Sequence, residues 1–273
     1  MITSKPFTMI AIVAAVVAAG MANPASAAQC GSTAAGFEAW KQQFADEARG
    51  RGVSAAAVAA LMGTTYATAT IAADRGQRSF RLSLDQFIAK RGGPTIVARG
   101  RELKRSQAAL FGSLEQRYGV PPGPLLAIWG METAFGRQRG NQNTLSAVAT
   151  LAYDCRRSAF FTEQLYATLT LIDRGVLSAG TRGSMHGEIG QTQFLPKSIL
   201  NYGTGGDLNI AANALASTAN FLEAHGWRAG AGYQPGEANF SAIQAWNAAS
   251  VYQRAIALIG QQIDGRVSAS AQR

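Results

Sequence analysis

Apolar residues recur three and four positions apart along nearly the whole chain after residue 36, and alternating apolar–polar runs are few. That single pattern predicts a mainly α fold, with at most a small hairpin in its polar stretches. In "FEAWKQQFADEA", Phe37, Trp40 and Phe44 fall on one stripe, and "SAAAVAALMG" runs from a Ser54 cap to a Gly63 stop. Residues 94–118 read as one long helix opening at Pro94, with Leu103, Leu110, Phe111, Leu114 and Tyr118 inward. Gly119 and the Pro121-Pro122 pair end it. The next helix opens around Pro122–Pro124 and is expected to stop near Gly136. "TLSAVATLAYD" follows from a Thr144 cap, and "SAFFTEQLYATLTLIDRG" repeats the period through Phe161, Leu165, Leu169 and Ile172 to Gly175. Further helices are predicted over 209–225 and 251–263, the last opened by "SVYQ" as a Ser-x-x-Gln capping box.

Residues 176–207 break the pattern. They are rich in Gly, Ser, Thr and Gln and regain a helical period only at "PKSILNYG". Inside a helical domain such a segment is either a surface excursion or part of a binding groove.

The first residues belong to no fold argument. Lys5 precedes the apolar run "FTMIAIVAAVVAAGMA", and "NPASAAQ" follows with small residues at Ala-x-Ala spacing. This is the layout of a secretory signal peptide covering 1–28, cleaved near Ala27 or Ala28. The run is shorter than the ~20 apolar residues a membrane span needs, and Gln29 is a poor residue before a lipidated Cys30. An exported, periplasmic protein with no stable membrane span is expected, with 29–273 as one domain, single or two-lobed. Two cysteines, Cys30 and Cys155, then enter an oxidising compartment. An even count suggests a disulfide, with two free buried thiols as the alternative.

The net charge of +9 steers an exported protein toward anionic surfaces such as cell-wall polymers or lipid headgroups. Nucleic acid is a weaker candidate, because the densest basic stretch, "RGRELKRS" at 99–106, lacks interleaved aromatics and reads as a solvated helix face. His186 and His225 have no metal-ligand spacing and read as loop or capping residues. H-E-x-x-H, G-x-S-x-G and dinucleotide motifs do not occur. No cofactor and no metal are expected.

One residue stands out within "GMETAFGR", residues 130–137. Leu125, Ile128 and Trp129 lie seven, four and three positions before Glu132, so helical geometry puts all four on one face. Burial among apolar neighbours disfavours the ionised form, and the helix C-terminus pushes the same way. A carboxylic acid held protonated near neutral pH is suited to donate a proton to a glycosidic oxygen. The bland alternative is a glutamate that pairs with Arg137 or Arg139, or reaches solvent at the helix end.

The segment "YGVPPGPLLAIWGMETAFGRQRGNQNTLSAVATLAYDCRRSAFF", with "GSMHGEIGQTQFLPKSILNYG" after it, resembles the B-type lytic murein transglycosylases, glycoside hydrolase family 103. The shared pattern is Y-G-V-P, a helix ending in G-x-E-[ST]-x-[FW]-G, and a later G-x-x-G-x-x-Q-F-x-P loop. It extends over nearly all of the chain from Phe37. The resemblance implies a lysozyme-like, mostly helical domain with a deep groove for peptidoglycan strands. It implies Glu132 as the lone catalytic carboxylate. That residue would protonate the oxygen between N-acetylmuramic acid (MurNAc) and N-acetylglucosamine (GlcNAc), then take the C6 hydroxyl proton as a 1,6-anhydro ring closes.

By the same resemblance Arg156 and Arg157 would hold the peptide-stem carboxylate or lactyl group, or else form a plain ion pair. Ser184 and Gln193 would line the groove, although Gln193 also suits a turn. Trp246 and Asn247 match an aromatic–Asn pair, with Asn247 bonding the glutamate or a sugar, or simply capping the last helix. Cell-wall synthesis machinery is an expected partner. The loop departs from the pattern, reading "GEIG" where Ala-Met is common; Glu188 is expected to face solvent. "GTGGDLNI" is less acidic than the calcium loop some relatives carry, and Asp207 alone cannot supply the oxygens calcium needs. Two rivals remain: a muramidase using Glu132 with Glu188 or Asp154, and a non-catalytic glycan-binding scaffold.

Overall fold

The structure, a computed structural model, describes residues 28–76 and 82–265. Most of the segment read as an export signal, residues 1–27, lies outside the described residues. The apolar stripes assemble into two separate cores. The smaller is built by α1 (Phe37–Gly50), α2 (Ala55–Met62), α3 (Thr68–Arg75), α8 (Thr144–Tyr153) and α9 (Ser158–Asp173). Phe37, Trp40 and Phe44 form its aromatic heart with Tyr153, and all four are buried. The larger core is formed by α4 (Leu84–Lys90), α5 (Gly93–Ser106), α6 (Ala108–Tyr118) and α7 (Pro122–Thr133). It is completed by α10 (Pro196–Tyr202), α11 (Ala211–Ala224), α12 (Phe240–Trp246) and α13 (Ser250–Asp264). The fold is mainly α, as the period of the sequence predicts, and lysozyme-like, as the family resemblance implies.

Several boundaries differ from the sequence reading, each for a local reason. The helix expected over 94–118 is two helices, because the chain breaks at Gln107 (φ −117°, ψ 34°) between α5 and α6. α8 is capped by Asn143, whose Oδ1 accepts from the Ser146 amide at 2.8 Å, and not by Thr144. The capping box expected at Ser250 does not form. Ser250 is already helical, and Asn247 Oδ1 accepts from the Ala249 amide at 2.9 Å while Gln253 Nε2 donates to the Asn247 carbonyl at 2.7 Å. The only strand pair among the described residues joins Gln142–Asn143 (β1) antiparallel to Arg182–Gly183 (β2). It ties the polar stretch to the start of α8, and a bridge between Ile189 and Phe194 makes a tight hairpin farther along.

Cys30 and Cys155 form a disulfide. Backbone bonds from Gly31 to Tyr153 O (2.9 Å) and from Cys155 to Gly31 O (3.1 Å) hold the same corner, between α8 and α9.

The element that positions the site is α7. It is apolar all round and buried on every side from Pro122 to Met131, as such a helix must be. Its partner is α13. A Cβ on Gly123 would stand 2.3 Å from the Gly260 carbonyl oxygen, and one on Gly260 would stand 3.0 Å from the Gly123 carbonyl carbon. Glycine at both positions lets the two backbones touch. The Asp264 carboxylate then accepts from the Gly123 amide at 2.8 Å, placing negative charge at the N-terminus of α7. With that register set, the antiparallel helices bring Tyr252 of α13 opposite Glu132 of α7.

Candidate active site

α7 ends at Thr133, earlier than Gly136. Ala134 (φ 50°) and Phe135 (φ 59°) both adopt left-handed backbone, which is strained for residues other than glycine. The turn is held from the polar stretch: Thr133 Oγ1 donates to the Gln191 carbonyl at 2.6 Å, and Trp129 Nε1 donates to Gln191 Oε1 at 2.8 Å. Gln191 carries no distinctive sequence signal, yet it anchors the loop "GEIGQTQF" to the helix that bears Glu132.

Glu132 is nearly enclosed and opens onto a cleft of about 340 Å³, lined also by Phe160, Glu188, Gln193, Phe194, Trp246 and Asn247. The cleft continues into a space of about 520 Å³ bordered by Arg157, Phe161, His186 and Ala249. Residues of both cores contribute, so the cleft runs where the α9 side meets the α12–α13 side. Burial, and after it the negative charge of Glu188, pushes the Glu132 pKa up to about 7 from 4.5. Three groups oppose this. Tyr252 Oη donates to Glu132 Oε1 at 2.6 Å, Trp246 Nε1 donates to the same oxygen at 3.3 Å, and Arg91 lies behind the Tyr252 ring. No ion pair forms with Arg137 or Arg139. Arg137 Nε donates to the Ala134 carbonyl and Arg139 Nη1 to Asn209 Oδ1. Tyr252 was missed by the sequence reading, its only signal being a tyrosine two residues inside the helix after the Trp-Asn pair.

Trp246 and Asn247 lie in the cleft wall, but only Trp246 reaches the glutamate; Asn247 Oδ1 is occupied by the Ala249 amide in the turn that leads into α13. Gln193 also lines the wall. It adopts left-handed backbone (φ 58°) and donates to the Gly190 carbonyl at 2.8 Å, so it serves the turn as well. The two arginines do not act alike. Both pair with the buried Asp74 of α3, but only Arg157 also borders the cleft. Ser184 does not line the cleft. Its Oγ donates to Glu188 Oε2 at 2.7 Å while accepting from the amides of His186 and Glu188, both at 3.1 Å.

The expectation that Glu188 faces solvent is overturned. The Ser184 bond turns its carboxylate into the cleft, where it borders both halves. Asp154, named as another second carboxylate, is buried away from the cleft, bound by Arg75 Nη2 at 2.7 Å and by the Arg156 amide at 3.0 Å. His186 lies beside Asp74 (3.8 Å), and its pKa is lowered by burial. His225 caps α11 and stacks on Phe221. A separate depression of about 420 Å³, lined by Val176, Ile199, Leu208 and their neighbours, holds Asp207 as its one titratable group. Among the described residues no three His, Cys, Asp or Glu side chains are grouped to hold a metal ion, and no helix is long and apolar enough to cross a membrane.

The chain as a whole is matched in known proteins. The family model for the transglycosylase SLT domain covers residues 36–236. The chain belongs to this family. Over 120 residues it is 36% identical to the membrane-bound lytic murein transglycosylase B of Escherichia coli (strain K12). That alignment covers 41% of this chain and 33% of the relative, so the chain matches about a third of that protein's length. SltB3 of Pseudomonas aeruginosa, solved in complex with NAG-anhNAM-pentapeptide, superposes with a TM-score of 0.76 at 28% identity. It covers 84% of this chain and 80% of its own. The Escherichia coli lytic transglycosylase Slt35 in complex with bulgecin A shares the fold, with a TM-score of 0.71 at 23% identity over 87% and 96% of the two chains.

Proposed function

We propose that the protein is an exported peptidoglycan lytic transglycosylase that cleaves the β-1,4 bond between MurNAc and GlcNAc and leaves 1,6-anhydro-MurNAc ends. The observation that carries this reading is Glu132: a nearly enclosed carboxyl opening onto a cleft, held by two neutral donors and no direct cation, with a pKa of about 7. A group poised there exists in both protonation states near neutral pH, which suits one residue acting as acid and then base. The acid form protonates the glycosidic oxygen and the C1–O bond breaks. The carboxylate then takes the proton of the C6 hydroxyl, whose oxygen closes onto C1, and no water is consumed. Tyr252 Oη steadies the carboxylate stage, while burial and Glu188 favour the acid stage.

Arg157, Gln193, Trp246 and Asn247 border the cleft and are assigned to glycan or stem-peptide contact; Arg156 and Ser184 support them from behind, through Asp74 and Glu188. SltB3, the structural relative at 28% identity, was solved with NAG-anhNAM-pentapeptide and with NAG-NAM-pentapeptide, which supports a strand with its peptide as the ligand class. The signal-like first 28 residues support action in the periplasm, with 29–273 taken as the catalytic unit and cell-wall synthesis machinery as the partner that would restrain it.

The test is mass spectrometry of soluble products from purified sacculi digested with the mature protein, beside Glu132→Gln. Anhydro muropeptides that vanish in the variant are expected. Sacculus binding with no product from either protein would replace this reading with that of a glycan-binding scaffold.

A further inference from the structure

The second carboxylate in the cleft acts on the reaction just described only through its charge and transfers no proton in it. Glu188 borders both halves of the cleft and so faces the same bound strand as Glu132. It is not a loose side chain: Ser184 Oγ holds Oε2 at 2.7 Å, and Ser184 is itself fixed by two backbone amides. The surroundings of the two carboxyls differ in kind. Glu132 is nearly enclosed and receives neutral donors. Glu188 is half-buried, with Arg157 and His186 along the same wall. Two carboxyls in one cleft whose surroundings differ in this way divide into a proton donor and a proton acceptor, and glycosidic hydrolysis uses such a pair.

We propose that Glu188 gives the enzyme a second, hydrolytic outcome at the same bond, acting as the base on a cleft water while Glu132 acts as the acid. The inference rests on the proposed glycan-cleaving function. Glu132 gives its proton to the glycosidic oxygen and the C1–O bond breaks. Glu188 accepts a proton from water, whose oxygen bonds to C1. The strand leaves as an alcohol and a reducing MurNAc end, with one water consumed, and proton exchange with solvent resets both carboxyls. Closure of the C6 hydroxyl and attack by water then compete for the same C1.

The experiment is digestion of purified glycan strands in oxygen-18 water, with labelled reducing ends and unlabelled anhydro ends counted by mass spectrometry. The wild-type protein is expected to give labelled ends as at least a tenth of all new ends. Glu188→Gln should lower the ratio of labelled to anhydro ends tenfold or more, Ser184→Ala should lower it several-fold, and Glu188→Asp should retain part of it. The ratio is internal to each digest, so a variant that folds in lower yield still reports. Anhydro ends alone from the wild type, or an unchanged ratio in Glu188→Gln, would overturn the proposal. Labelled ends alone from the wild type would sustain it and instead overturn the transglycosylase reading. No cleavage by the wild type would overturn both.

Discussion

Asp74 and Glu132 are two carboxyls that packing withdraws from water, and they are handled in opposite ways. Asp74, on α3 beside the smaller core, is met by the guanidinium groups of both Arg156 and Arg157. Its charge is matched by more than one unit of opposite charge, and it serves as a bracket between α3 and the α8–α9 corner. Glu132, on α7 in the larger core, has no cation within ion-pair distance among the described residues and receives only the hydroxyl of Tyr252 and the indole of Trp246. A buried charge with paired cations stays ionised and structural; one with neutral donors moves its pKa toward the working pH. Burial alone therefore does not make a carboxyl reactive. What decides is the chemistry of the partners.

The comparison breaks most directly at Glu132 itself. Replacement by Gln keeps the shape and removes the proton, and turnover on sacculi should fall about 10³-fold or more, within the range acid–base groups contribute. A residual rate within tenfold of wild type would mean that the acid lies elsewhere.

The same substitution should raise stability above neutral pH. The folded-state pKa of about 7 lies above the unfolded 4.5. The favourable contribution of protonated Glu132 is thus complete below 4.5 and lost as pH rises through 7, costing about 3 kcal/mol. Thermal melts of Glu132→Gln should exceed wild type by several degrees at pH 8 and match it near pH 4. Equal melting at both would show that the carboxyl is better solvated than its surroundings imply.

At the other site the sign reverses. Asp74→Ala leaves two arginines facing each other and should destabilise by about 2 kcal/mol, less than a fully buried pair would, because the guanidiniums are partly exposed and rehydrate. Chemical denaturation measures this, and a neutral result would reduce the bracket to an ornament of the surface.

Tyr252→Phe removes the 2.6 Å bond that favours the charged form of Glu132. Turnover should fall about tenfold, near 1.4 kcal/mol, and the basic limb of the pH–rate profile should move to higher pH. A limb that stays in place would detach Tyr252 from the titration. Trp246→Phe, which loses the longer 3.3 Å bond but keeps the aromatic wall, should cost only a few-fold in rate.

The primary structure carries a good part of this. Helical period alone delimits most of the helices, Ser54 and Gly63 bound α2 as expected, and an even cysteine count foretells the bridge between Cys30 and Cys155. Glu132 is legible because one charged residue in an otherwise apolar helix is a local signal, readable at spacings of three, four and seven. The break at Gln107 is not legible, since both flanking segments have good helical period and the bend depends on what each packs against. Nor is the fate of Arg156, Arg157, Ser184 and Asn247 legible. Their chemistry allows substrate contact and internal bonding alike, and their partners lie on other segments: Asp74 is about eighty residues from the arginines.

What only the tertiary structure decided is who stands beside Glu132. Tyr252 is 120 residues away along the chain, and it arrives because Gly123 and Gly260 allow two helix backbones to touch and so set their register. Glu188 arrives because Ser184 turns it inward. Local spacing can identify a carboxyl that burial will perturb. The direction and use of that perturbation depend on donors and charges brought in by packing across the chain, over distances that no local pattern encodes.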